Sequence, residues 1–113
     1  MSENNMEEML ERYRQLAERY APAKAKREYI DEYKKSLLAL LMKKYEKQNF
    51  TSAVAQEREA RADDDYIKLL GELEIAIHEE EKLRYHLKSV EIEIEVWRTQ
   101  SANSRAERRA YGA

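Results

Sequence analysis

Lys43, Lys44 and Lys47 fall within about one helical turn, beside Tyr45 and Phe50. Cations next to aromatic rings suit single-stranded nucleic acid, where ammonium groups take phosphates and rings stack on bases. A second basic group, Arg105, Arg108 and Arg109, lies near the C-terminus. The charge is unevenly spread. Residues 23–48 hold eight bases against four acids (+4), and residues 98–113 hold four against one (+3). Residues 57–95 hold six bases against thirteen acids (−7). The plain alternative is a set of solvated helix faces laced with ion pairs.

Other chemistry is poorly provided for. His78 and His86 are eight positions apart, not the four that would set a metal pair on adjacent turns, and neither sits in an HExxH or ExxH pattern. The run Glu79, Glu80, Glu81 reads as a wet helix face, with Glu80 as the exception because it falls on an apolar stripe. Two glycines cannot make a phosphate loop. Cysteine is absent, which excludes disulfides, thiolate metal sites and a cysteine nucleophile, and fits an intracellular protein. Nothing assembles a nucleophile, a base and an oxyanion site. No enzyme activity, cofactor or metal is expected.

The elements that must carry the basic groups are helices. With 39% charged residues, two glycines and one proline, the composition is that of long helices. From Asp63 to about Arg98 a seam runs through Leu69, Leu73, Ala76, Glu80, Leu83, Leu87, Val90, Ile94 and Trp97 in alternating steps of four and three. That is the stripe of a helix packed along its length against other helices. Asp63 is placed to cap it, with Asp64 and Asp65 in the first turn where the dipole favours acids. Glu80 interrupts the apolar seam and either sets register or reaches water.

The other segments read as partners for this helix. Residues 1–21 carry a first amphipathic pattern of Met6, Met9, Tyr13, Leu16 and Tyr20. Pro22 either kinks one continuous helix or ends it, and a break is the expectation, leaving the first helix able to swing. A second helix covers about Ala23 to Lys47, with a stripe of Ile30, Tyr33, Leu37, Leu40 and Leu41 widened by Leu38, Met42 and Tyr45. Residues 49–62 form the bend, with Thr51 or Ser52 capping a short helix. Residues 22–98 are thus the hairpin core, and residues 99–113 are a basic segment, helical or tail-like.

The expected fold is all-α, an elongated antiparallel helical hairpin with coiled-coil-like packing. Tyr85, Ile92 and Val96 lie off the seam, so one partner helix cannot cover every apolar residue, and a homo-oligomer is expected. The first residues lack the basic start and apolar core of a signal peptide, and no run approaches the roughly 18 apolar residues of a membrane span.

From about Leu37 to Tyr111 the order of segments resembles a family of small phage-encoded helical proteins associated with recombination. The order is ALLMKKYEKQ, SAVAQEREARA, DDDY, then EKLRYHLKSVEIEIEVWRTQSANSRAERRAYG. Trp97–Arg98 followed by Arg105, Ala106, Glu107, Arg109 and Ala110 is its most specific part. In plan the chain is similar to UvsY-type recombination mediators. That resemblance implies a hairpin assembling into a ring, binding single-stranded DNA, displacing single-strand binding protein and loading a recombinase, in the cytoplasm of a phage host. By position, Lys43, Lys44 and Lys47, at a helix end before the bend, match the basic residues that class uses on DNA. The basic C-terminal group, Arg105, Arg108 and Arg109, is expected from its charge to be a second contact. The alternative reading is a coiled-coil interaction module, such as a phage inhibitor or scaffold protein, working through the acidic face at residues 72–81.

Overall fold

The computed structural model describes residues 3–112, and these are all-α with no strand among them. Three helices follow in order: α1 (Glu3–Lys47), α2 (Ala53–Ala62) and α3 (Asp64–Ala110). The expected break at Pro22 is not there, and α1 runs through it. The reason is visible in the burial pattern. Met9, Tyr13, Leu16, Tyr20, Ala23, Arg27, Ile30, Lys34, Leu37 and Leu41 are buried or half-buried at strictly alternating steps of four and three. The alternation crosses Pro22 without losing a step. Pro22 itself is exposed, as is Glu18, whose carbonyl loses its intrahelical donor and is left on the solvent side.

The contacts divide the chain into two units, Pro22–Glu80 and Met1–Ala21 with Glu81–Ala113. In the first, early α1 residues meet late residues of this part of α3, so the pair is antiparallel: Arg27 meets Glu80 and Lys44 meets Asp63. Ile30, Leu69, Leu73 and Ala76 form one core cluster, against which Leu37 packs. Leu41, Ala60 of α2 and Tyr66 form another, flanked by Leu38, Met42 and Tyr45. In the second unit Met9, Val90 and Ile94 cluster with Met6, Tyr13, Leu16 and Trp97. Arg12 pairs with Glu93 at 2.7 Å, and the Tyr13 hydroxyl donates to Glu91 at 3.0 Å. The Trp97 indole N–H is buried and finds no acceptor among the described residues.

The α3 seam matches the expected stripe and extends it. Leu69, Leu73, Ala76, Leu83, Val90 and Ile94 are buried, and Leu87 and Trp97 are half-buried. Asp63 and Tyr66 continue the same file toward the bend. Glu80 does not reach water: it is 5% exposed and takes a two-pronged bond from Arg27, Nε to Oε2 at 2.5 Å and Nη2 to Oε1 at 3.2 Å. On α1 the expected stripe was too broad. Tyr33 and Leu40 are exposed, and Lys34 takes the seam position between Ile30 and Leu37, its ammonium reaching Asp31 at 3.6 Å. A long side chain holds such a boundary position by laying its stem along the seam with its charge outward. Residues 99–110 are helical, yet from residue 102 onward all described residues are exposed.

Three substitutions check this account. Pro22→Ala restores a hydrogen bond to a continuous helix, so it should stabilise the protein to urea by about 1–2 kcal/mol with little change in helix content. A large rise in ellipticity would instead show that the helix breaks there. Leu83→Ala, at the most buried large side chain, should cost about 2–4 kcal/mol. Ile75→Ala, on an exposed face, should stay within about 0.5 kcal/mol of wild type.

Candidate nucleic-acid interface

The lysine group sits at the end of α1, where the chain turns. The turn is a Schellman closure. Asn49 takes the left-handed conformation at φ 75°, which asparagine tolerates better than most residues. The Asn49 N–H donates to the Glu46 carbonyl at 3.2 Å, and the Phe50 N–H donates to that of Tyr45 at 3.2 Å. The Phe50 ring then packs edge-on to Tyr45, centroids 5.7 Å apart, which is the apolar contact this closure favours. Of the two candidate caps for α2, Ser52 is the one used, its Oγ accepting from the Ala55 N–H at 3.1 Å.

Asp63 ties the turn together. It is 8% exposed and joins α2 to α3. Its Oδ1 caps α3 by accepting from the Asp65 N–H at 2.9 Å. Its Oδ2 accepts from the Tyr45 hydroxyl at 2.7 Å and from the Lys44 ammonium at 3.1 Å. The Tyr45 hydroxyl, the Asp65 N–H and Lys44 together hold the Asp63 carboxyl below its ordinary range. The same hydrogen bond to Asp63 raises the Tyr45 phenol, and a bond to that carboxylate raises the Lys44 ammonium.

This geometry splits the lysine group. Lys44 spends one donor on Asp63 and lies 5.2 Å from the Tyr45 ring centroid. It holds the bend and stays half exposed. Tyr45 and Phe50 are turned to each other and to the fold, not offered as a stack for bases. Lys43 and Lys47 are exposed, with no ion pair among the described residues, and flank Glu46 along a surface groove. The role of Tyr45 was hidden in the sequence. One signal was present: Asp63 lies three positions before Tyr66 on the extended seam, where a carboxylate needs partners.

Arg105, Arg108 and Arg109 belong to the other unit, on the last turns of α3. Their spacing of i, i+3, i+4 puts them on one face. All three are exposed and form no ion pair among the described residues. Gln100, Ser101, Asn103 and Ser104 line a polar groove that continues to Arg105, Glu107 and Arg108. The seam residues Leu69, Leu73, Leu83, Leu87, Val90, Ile94 and Trp97 are core and add nothing to either basic surface. Among the described residues no cluster of His, Asp or Glu is arranged to hold a metal ion, and no helix is long and apolar enough to cross a membrane.

The architecture is that of a coiled-coil-like helical hairpin protein with two exposed basic groups. Comparison with protein-family models, curated proteins and solved structures gives no match.

The Asp63 junction predicts a pH signature. A carboxyl depressed on folding adds stability above its ordinary value of 3.8, and that stability is lost as pH falls through its lower folded value. The raised Tyr45 and Lys44 groups add stability below their ordinary values of 10.0 and 10.5, lost as pH rises through higher folded values. Asp63→Asn should therefore be less stable than wild type at about pH 7, and the gap should narrow below about pH 4. Urea midpoints measured across pH read this directly. A constant gap down to about pH 2 would show that the carboxylate charge is not what matters.

Proposed function

We propose that this chain is a non-enzymatic accessory protein that binds single-stranded DNA. Its exposed arginine face, Arg105, Arg108 and Arg109, is the observation that carries the reading. Three guanidiniums without acidic partners on one helix face suit a chain of phosphates, because each is already free to leave water for an anion. Lys43 and Lys47 supply a second contact, with Lys44 contributing its remaining donors beside them. Repetition of such groups in a homo-oligomer would make weak contacts act together. In the finer form of the proposal the protein is a phage recombination mediator, working with a recombinase or a single-strand binding protein in the host cytoplasm. The resemblance of residues 37–111 to that class supports this form.

The acidic stretch of α3 would keep other polyanions from the remaining surface. No element resembles a base reader, so little sequence preference is expected. A protein-binding role, as inhibitor or scaffold, has a separate support in the exposed apolar side chains Tyr85, Ile92 and Val96 on α3.

Gel shifts with a single-stranded oligonucleotide over a salt series test the proposal. Binding should weaken steeply with salt, since each neutralised phosphate releases about 0.7 counterions on single strands. Replacing Arg105, Arg108 and Arg109 by Ala should flatten the log–log slope by about 2. Lys43→Ala with Lys47→Ala should flatten it by about 1. Absence of any shift at low salt would refute DNA binding and favour the protein-binding role.

A further inference from the structure

Helix α3 carries a second stripe on the side away from its seam. Tyr85, Ser89, Ile92, Val96 and Thr99 follow at steps of four, three, four and three, and all are exposed. Tyr85, Ile92 and Val96 are 62%, 56% and 47% exposed. This is the same alternation that the buried seam uses, so the outer face has the spacing of a second helix–helix contact. The surface there is already indented. Ile92, Glu95, Val96 and Thr99 outline one depression, at i, i+3, i+4 and i+7, and it continues into Lys88 and Glu91. Four residues at that spacing are the hole into which a facing helix inserts one side chain.

We propose that this face packs against the same face of a second copy, antiparallel about a two-fold axis level with Val90 and Glu91. In that register Tyr85 of each copy enters the hole formed by Ile92, Glu95, Val96 and Thr99 of the other, and Ser89 lies over Ile92. Charge complementarity selects the second copy as occupant. Lys88 flanks the stripe on the same side as Glu95, an exposed carboxylate that also receives Arg98 at 3.3 Å. The two-fold axis brings Lys88 of each copy beside Glu95 of the other, twice per interface, which is how a self-complementary patch closes. A parallel pairing would instead set Lys82, which continues the stripe toward the N-terminus, against Lys82. A polyanion or an anionic lipid surface does not fit, because Glu91 and Glu95 border the stripe. The proposal gives the expected homo-oligomer a face and a register, and it stands or falls apart from DNA binding because its test reads mass alone.

The test is sedimentation equilibrium of the full chain up to about 200 µM, a range suited to a contact smaller than a standard interface. Wild type should reach the mass of two chains or a multiple of it. Lys88→Glu alone and Glu95→Lys alone each turn two attractions into two repulsions, so each should self-associate about tenfold more weakly. Mixed in equal amounts, the two variants should pair with each other as tightly as wild type, since both flanking contacts then become attractive. Helix content by circular dichroism should not change, as all the altered side chains are exposed. Wild type remaining at the mass of one chain overturns the proposal and leaves the stripe to a different protein. Single variants that associate like wild type, or a mixture no tighter than either variant alone, overturn this face and register.

Discussion

The apolar residues that this chain buries lie in single file along each helix, and the rest of the structure depends on that constraint. A stripe with one residue in every three or four positions is too narrow for a layered core. It is hidden only by laying one helix against another so that the two files interlock. Leu69, Leu73 and Ala76 on α3 meet Ile30 on α1, and Val90 and Ile94 meet Met9. The bend exists because α1 must turn back for this to happen. Ala60 is fully buried where α2 crosses Leu41 and Tyr66, and a larger side chain there would push the short helix off.

Polar residues inside the file give it register. An apolar stripe repeating every seven residues is nearly indifferent to a slip of one repeat. The Arg27–Glu80 pair is not. A slip would set the guanidinium against Leu73 or Leu87 and strand a buried carboxylate, which costs far more than the pair contributes in place. Asp63 acts in the same way at the bend. One carboxylate caps α3, receives the Tyr45 hydroxyl and receives Lys44, so α1 and α3 meet at one setting only.

These structural demands decide which charges stay exposed. Lys44 is drawn into the bend, while Lys43 and Lys47 remain at the surface. The three C-terminal arginines lie beyond the last half-buried residue of α3, Ser101, so no packing requirement competes for them. A helix end that packs against nothing gains little stability of its own. Helix α3 therefore carries an inner stripe that makes the fold and an outer stripe left to the solvent.

The sequence by itself determined the all-α class, the inner stripe of α3, the end of α1 at Lys47 and the start of α3 beside Asp63. These are local or periodic properties: side-chain spacing along a helix, caps, and a turn residue such as Asn49. It did not reveal that α1 continues through Pro22, although the alternation from Tyr20 through Ala23 and Arg27 was there to read. A proline's local penalty is plain in sequence, whereas the packing on either side that outweighs it is not. Nor did it place Lys34 on the α1 seam in preference to the more apolar Tyr33 and Leu40. Only the tertiary structure decided that Glu80 pairs with Arg27 and that Tyr45 and Lys44 close on Asp63. Those pairings join residues far apart in the chain, and their partners are set by how the helices cross, which no local pattern encodes.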